Sequence, residues 1–411
     1  MLAAVNKQEI ENKPAGCPYH GAAQITGDHV TLRTRPIEQD GSGVWQIRSY
    51  TAAKAILRSN GIKQAGFQAE TIGSLALGKE PMLYLDGAEH HQLRKQTARF
   101  FTPKAVKTYD GMIGRFVDQM LDELRTAGKG DLSKLTMKLA VLVAAEVVGL
   151  TNSHIDGLSR RLGKFFEVDP PAEPAEKFSI IETIKGLWGQ IPLLSFYWFD
   201  VRPAIRNRQS EPQDDLISYL LTQEYTSMQI LTECLLFGAA GMATTREFIS
   251  AAALHFLQHD QMRADYLAAD VDQRHAMLRE ILRLEPVVGE LSRRATKPLT
   301  LEVDGQTFDI PEGDLIRMNV YGTNLDEHTF GDDPELVCPH RELARGVHDA
   351  GMSFGDGHHR CPGAYIAIEE TDIFLTRFLQ MDGLRLVQEP TIKRNEVVKG
   401  YEIREFMVRV D

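Results

Sequence analysis

The residue with the strongest chemical setting in this chain is Cys361, inside the run Phe354-Gly355-Asp356-Gly357-His358-His359-Arg360-Cys361-Pro362-Gly363. A thiolate is a nucleophile and a soft metal ligand. Glycines at 355, 357 and 363 let the backbone turn tightly and pass close to a flat ligand. Ala364 to Phe378 reads as a helix, which sets Cys361 just before a helix start. Amides there point at a thiolate, lower its pKa and tune any metal it holds. A lone cysteine is more often a buried core residue; the glycine-rich loop is what sets this one apart. Cys17, Cys234 and Cys338 lie far apart, with neither metal-finger spacing nor a disulfide framework, so reduced thiols are expected. Cys17-Pro18-Tyr19-His20 offers one chelating pair, too few ligands for a metal site.

Three other stretches carry residue pairs at meaningful spacing. Glu280 and Arg283, in Arg279-Glu280-Ile281-Leu282-Arg283-Leu284-Glu285-Pro286, share one face of an expected helix. Alone, such a pair is a common surface ion pair. His90 and Arg94, in Asp86-Gly87-Ala88-Glu89-His90-His91-Gln92-Leu93-Arg94, are four apart and can point at one ligand edge. In Phe237-Gly238-Ala239-Ala240-Gly241-Met242-Ala243-Thr244-Thr245, two glycines sit mid-helix, where each costs about 1 kcal/mol against alanine. Such a cost marks close approach by a ligand or a local bulge. Thr244 can bond the carbonyl four residues back and open the helix; the plain alternative is a helix-bonded threonine with no further role.

The cysteine loop resembles the haem-binding signature of the cytochrome P-450 family: Phe, two residues, Gly, three residues, Cys, one residue, Gly, with each fixed position matched. The Arg279–Pro286 stretch, its Arg283 lying 78 residues before the cysteine, is similar to the family's K-helix motif. Cys338-Pro339-His340-Arg341 is similar to the segment that supplies a second arginine, and Asp86–Arg94 to the C-helix segment. The resemblance runs from about Val44 to the C-terminus. It implies a mainly α fold with a small β portion: a triangular helical prism with haem b between the long I helix and the cysteine loop. It implies Cys361 as axial ligand of the haem iron, with Phe354, Gly355 and Gly363 around it. His90, Arg94, Arg293 and His359 are then expected on the two propionates, which suit cationic and hydrogen-bonding partners; Arg294 competes with Arg293. Glu280, Arg283 and Arg341 are expected to form a buried salt-bridged knot, structural rather than catalytic. Ala240 and Gly241 would border the oxygen-binding groove, with Thr244, seconded by Thr245, holding water and delivering protons. The family's usual acidic residue before that threonine is here Ala243, which removes one carboxylate from the relay. Water with Thr244 and Thr245, a polar group on the substrate, or poor coupling remain open, the first two favoured.

The implied reaction is insertion of one oxygen atom from O2 into a small or medium organic substrate, with Cys361 donating electron density that favours O–O cleavage. No stretch reads as a flavin or iron–sulfur domain, so electrons are expected from a separate ferredoxin or flavodoxin with its reductase. Arg94, Lys95, Arg99, Lys104 and Lys107, with Arg360, form a basic patch suited to an acidic partner. One alternative is a peroxide-driven peroxygenase, kept open by Arg246 near Thr244. Another is a non-catalytic haem sensor or ligand-binding protein. Substrate class is open; Ala65 to Tyr84, Phe165 to Phe199, Phe237 to Thr244, Pro286 to Leu291 and Val398 to Ile403 are the expected pocket walls.

The elements that must position these residues follow from periodicity. The chain has 411 residues, 43% hydrophobic, and a net charge of −11, enough for a large core and a poor match to nucleic acid. No apolar run is long enough to span a bilayer, and Met1 to Pro14 is polar. A monomeric cytoplasmic protein without membrane contact is expected. Residues 1–25 read as a flexible lead-in and 26–411 as one domain. Helices are expected over Tyr50–Leu57, Glu89–Phe100, Gly111–Thr126, Leu135–Leu150, Thr226–Gln258, Asp260–Ala269, Val271–Leu284 and Ala364–Phe378, with two or three more between Ile155 and Arg208. The Thr226–Gln258 helix would run roughly 50 Å. Val44–Ile47 and Leu315–Val320 read as strands, and Leu299–Val303 with Thr307–Ile310 as a hairpin across Asp304-Gly305. Phe196-Tyr197-Trp198-Phe199 reads as an aromatic run between helices, core or substrate lid; a membrane role is disfavoured because no basic face accompanies it.

Overall fold

The computed structural model describes residues 19, 22–26, 35–66, 81–163, 191–303 and 305–411. Cys17, His20, Asp304 and large parts of two expected pocket walls, Ala65–Tyr84 and Phe165–Phe199, lie outside these residues.

In chain order the strands and first helix are β1 (Ile37–Gln39), β2 (Trp45–Ile47), α1 (Tyr50–Arg58) and β3 (Ile62–Gln64). Then come α2 (Gly87–Thr97), a 3-10 turn at Ala98–Phe100, α3 (Pro103–Ala127), β4 (Lys129–Asp131), α4 (Leu132–Val148) and α5 (Ile155–Gly163). The middle holds α6 (Ile191–Phe196), a π-turn at Tyr197–Val201, α7 (Arg202–Ser210), α8 (Leu216–Thr222), α9 (Ser227–Gln258), α10 (Asp260–Ala268) and α11 (Val271–Leu284). After these come β5 (Glu290–Ala295), β6 (Leu299–Val303), β7 (Gln306–Ile310), β8 (Leu315–Asn319), α12 (Val320–Asn324), α13 (Glu327–Phe330) and α14 (Ala364–Phe378). The chain closes with β9 (Arg385–Leu386), β10 (Thr391–Asn395), β11 (Gly400–Arg404) and β12 (Met407–Arg409).

The helix boundaries follow local chemistry. Thr226 and Gln229 form a reciprocal capping box at the start of α9, as Asp270 and Gln273 do for α11, each satisfying two otherwise orphaned amides. The helix α3 begins eight residues before the expected Gly111, because Thr102 caps Ala105 N and Pro103 occupies the first turn, where its fixed φ suits a helix and its missing N–H costs nothing. Gly128, at φ 67°, closes it.

The largest sheet has the order β1-β2-β8-β5-β3. Its β2 and β8 run parallel, Trp45 opposite Ile316, and β5 is antiparallel to both β8 and β3, Arg293 opposite Ile316 and Gln64. The expected hairpin is present as β6-β7. The strands β5 and β10–β12 were not expected. Phe196–Phe199 does not lie between helices: it runs within continuous helical backbone from Ile191 to Ser210. Phe196 is buried there while Trp198 and Phe199 are exposed, and basic groups do accompany them, Arg202 over Trp198 at 4.3 Å and Arg161 over Phe199 at 5.6 Å.

The main core joins α3, α9, α11 and α14, with Ile113, Phe256, Leu278 and Phe374 among its fully buried residues. The helix α9 runs through the centre, packed on α4 along one side and in contact with α14 and α11 on others. Among the described residues no helix is long and apolar enough to cross a membrane.

Candidate active site

Cys361 has an unusual setting. Its N–H donates to Phe354 O at 2.8 Å, closing the loop, and α14 begins three residues later. The Gly363 N–H donates to its sulfur, and Arg94 and Arg360 add favourable charge; burial nevertheless outweighs all three and pushes the thiol pKa up. The helix start thus acts in the expected sense without setting the net direction. The residue is also solvent-exposed, while Cys234 and Cys338 are buried. Its surroundings thus desolvate the thiol while the residue still presents open surface. A Cβ at Gly363 would meet Sγ at 3.8 Å, an ordinary contact. Gly355, at φ 65°, makes the turn above.

The long helix opens opposite. Met242, Phe248 and Ile249 on α9 are buried, yet Ala240 is exposed and Gly241 and Thr244 are partly open. The Thr244 hydroxyl donates to Ala240 O at 2.5 Å, the local bond expected from sequence. Thr245 is buried, so Thr244 alone of the pair sits on the open face. Gly241 faces α4, where a Cβ would meet Ala144 Cβ at an ordinary 3.6 Å.

A third group gathers donors from distant segments. His90, on α2, and His359 stack with ring centroids 4.2 Å apart. The Arg94 guanidinium donates to Arg360 O. Arg293, on β5, is only 4% exposed, whereas its competitor Arg294 reaches Gly313 O on the far face of the strand. Burial depresses His90 to about 4 and Arg293 to about 10, and it lowers Arg94 and His359. Asp86, with Oδ1 3.1 Å from His359 Nε2, is the carboxylate among them. His90 Nδ1 and Arg293 Nε are buried without a hydrogen-bond partner. A donor set this desolvated and this poor in acceptors suits a dianionic edge. The two carboxylates of haem b would fit it.

The ion-pair knot is assembled. Arg283 donates to Glu280 through Nε and Nη2, each at 2.7 Å, and Arg341 Nε lies 3.5 Å from Glu280 Oε1. Cys338 N also donates to Glu280 at 3.0 Å, so the knot ties α11 to the segment leading to the cysteine loop. Among the basic residues near Cys361, Lys95, Arg99 and Lys104 are exposed. Lys107 is engaged by Glu369 at 2.7 Å.

Sequence reasoning missed one feature of this site. Glu247, one turn beyond Thr244, accepts from Ile403 N at 2.8 Å, Arg404 Nη1 at 2.7 Å and Arg246 Nε at 2.7 Å. It clamps α9 to β11. Nothing local in sequence marks Arg404 as its partner. The same bond occupies Arg246, the cation near Thr244 that kept a peroxygenase reading open. Among the described residues no three His, Cys, Asp or Glu side chains gather into a metal site.

The model of the family described as Cytochrome P-450 matches residues 200–398. The cyclomarin C epoxidase CymV of Salinispora arenicola is 28% identical over 312 residues, covering 74% of this chain and 73% of that protein. The erythromycin C-12 hydroxylase of Saccharopolyspora erythraea is 28% identical over 369 residues, 86% of each. A solved structure of the cytochrome BioI, in complex with an acyl carrier protein ligated to hexadec-9Z-enoic acid, superimposes with a TM-score of 0.75 at 23% identity, covering 93% of this chain and 97% of that one. The family match, the relatives and the shared fold together support a bacterial-type cytochrome P-450 monooxygenase with haem b as its cofactor.

Proposed function

We propose that Cys361 is the axial thiolate of this monooxygenase and that His90, Arg94, Arg293 and His359 hold the haem propionates. The observation that carries the reading is the exposed but desolvated Cys361 sulfur, with the Gly363 amide donating to it. When bound, the haem supplies the activation of dioxygen and the transfer of one oxygen atom to an organic substrate. The protein's own part is to bind, orient and move protons. Phe354, Gly355 and Gly363 fix the sulfur. Ala240 and Gly241 keep the facing helix small.

Thr244 Oγ1 is the group that holds and passes protons on that face. Rotating away from Ala240 O frees its hydroxyl to orient a water. Ala243 offers no carboxylate, and Glu247 cannot replace it, because three donors already engage its oxygens. Water and polar groups of the substrate are left as the proton sources, with Thr245 in a supporting place behind Thr244.

Electrons come from a ferredoxin-type or flavodoxin-type partner docking over Lys95, Arg99 and Lys104, beside Arg360. Residues 26–411 act as one domain, monomeric and cytoplasmic. The substrate is a small or medium organic molecule; the epoxidase and hydroxylase relatives are named for cyclomarin C and erythromycin, and molecules of that kind are the first panel.

The test is the carbon monoxide difference spectrum of the reduced protein, for wild type and Cys361→His. A thiolate-type long-wavelength band in wild type, replaced by a histidine-type band in the variant, is the expected result. A variant that kept the wild-type band would assign the ligand to another residue.

A further inference from the structure

Glu233 is a buried carboxyl that the mechanism does not use. It lies on α9 and is 3% exposed. Its Oε1 accepts the Met82 N–H at 3.0 Å, while Oε2 is buried with no hydrogen-bond partner. Desolvation and the Met82 bond are what act on it, and among the described residues no cation offsets its charge. Buried carboxylates are ordinarily paired or kept neutral, so an uncompensated one with a free oxygen calls for a ligand.

Its place on the helix supplies the direction. Glu233, Phe237, Ala240, Gly241 and Thr244 follow the i, i+4, i+7, i+8, i+11 spacing of a single helix face. At the Thr244 end this face is open, Ala240 being exposed and Gly241 and Thr244 partly so. Phe237, one turn from Glu233, stacks on Phe101 with centroids 5.8 Å apart, an aromatic wall between the two polar ends. The helical rise separates Glu233 from Thr244 by about 16 Å, the length of a medium-sized organic molecule. Above Glu233 lies the turn Pro81–Leu85, fastened to α9 through the Met82 N–H.

We propose that Glu233 is a substrate-anchoring residue whose free oxygen receives a protonated amine at one end of an elongated, otherwise apolar substrate, the other end being oxidised beside Thr244. The inference rests on the site assignment above. An ammonium supplies both the missing donor and the missing positive charge, whereas a fatty-acid carboxylate would meet a like charge. Burial pushes Glu233 up to about 7, so near neutral pH a cationic ligand readily draws it into the ionised form. The segment Pro81–Leu85 parts from the helix to admit the ligand.

The experiment is calorimetric titration of the haem-loaded protein with N,N-dimethyldecylamine, decanol and decanoic acid, for wild type, Glu233→Gln and Glu233→Asp. Glutamine keeps the acceptor for Met82 and removes the charge. Wild type is expected to bind the amine most tightly. Glu233→Gln should weaken the amine by at least about tenfold, equivalent to about 1.4 kcal/mol, leave decanol within about threefold, and leave the acid unchanged or improved. Glu233→Asp should retain the preference for the amine. Equal loss of all three ligands in Glu233→Gln, or no loss of the amine, would overturn the proposal and leave Glu233 as a latch for Met82. The carbon monoxide spectrum of the same samples reports on Cys361 separately, so a failed anchor and a failed axial-ligand assignment are told apart.

Discussion

The Thr244 hydroxyl donates to the Ala240 carbonyl at 2.5 Å, and both residues border the open space in the middle of α9. The bond parks the hydroxyl on its own helix with its oxygen lone pairs still free to accept. Met242, Phe248 and Ile249 are buried on the other faces, so this is the one polar side chain of the stretch 240–244 that meets that open space.

If Thr244 orients the proton-delivering water, removing its hydroxyl uncouples electron consumption from product. Thr244→Ala is expected to lower product formed per reduced nicotinamide consumed several-fold, with peroxide rising to match, while substrate affinity stays within about twofold. Thr244→Ser should recover most of the coupling. Each general acid–base step of this kind is worth about 10²–10⁴ in rate, and bulk water can recover part of it. Unchanged coupling in Thr244→Ala would remove the residue from the mechanism.

The knot of Glu280, Arg283 and Arg341 should act on folding rather than turnover. Arg283 is fully buried with both Glu280 oxygens in reach, and it also donates to Asn324 O at 2.6 Å. Arg283→Met leaves Glu280 buried with its bidentate partner gone, which costs about 3–5 kcal/mol. The expected outcome is a large fall in the denaturant midpoint and weak haem retention. The fraction that folds should show wild-type turnover per haem; a stable variant with slow turnover would give the knot a catalytic part instead.

What the sequence made legible was local. Residues at fixed spacing on one helix or in one loop, such as Glu280 with Arg283 or Gly355 with Cys361, could be placed before any fold was known. The helices α4, α9, α11 and α14 carried enough apolar periodicity to be read within a few residues. The strand β5 was missed because Glu290–Ala295 has charged side chains where alternation is sought; its Arg293 points inward as a donor. The pairing of β4 with β12 joins residues some 280 positions apart, and no local pattern announces it. Glu247 with Arg404 is invisible for the same reason, and Glu233 because a lone glutamate in a helix ordinarily faces water. Trp198 and Phe199 show the converse: the run is expected between helices, but helical backbone continues through it.

Electron delivery should depend on the exposed members of the basic patch that no short ion pair occupies. Lys95, Arg99, Lys104 and Lys107 are all exposed, but Lys107 is held by Glu369 at 2.7 Å and Arg94 by the Arg360 carbonyl. Neutralising Lys95, Arg99 and Lys104 to glutamine is expected to slow reduction by an acidic ferredoxin about tenfold at low salt and to flatten its salt dependence. The carbon monoxide spectrum should be untouched. Stopped-flow reduction at several ionic strengths checks this, and a retained salt slope would move the docking face elsewhere.

Glu285 predicts how acid loosens the N-terminal side of the fold. Its carboxylate is fully buried and accepts from Ile25 N at 2.6 Å, Thr26 N at 3.0 Å and the Thr26 hydroxyl, with His255 Nε2 at 2.9 Å. Burial pushes its pKa up, but the bonds from His255, Thr26 and Ile25 outweigh burial and hold it below the ordinary value of 4.5. A carboxyl whose folded pKa is depressed binds its proton more readily in the unfolded chain. Its stabilisation is therefore complete above the unfolded value and drains away as the pH falls below about 4.5 through the folded value. Residues 22–26 should then release from α9 and α11 together, since Glu285 holds the strap to both. In Glu285→Gln the melting temperature should already be lowered at neutral pH, and the further fall between pH 5 and pH 3 should be shallower than in wild type by the share this carboxylate contributes. Hydrogen exchange at Ile25 and Thr26 should quicken in wild type over the same acid range. A Glu285→Gln profile parallel to wild type throughout would assign the acid sensitivity to other carboxylates.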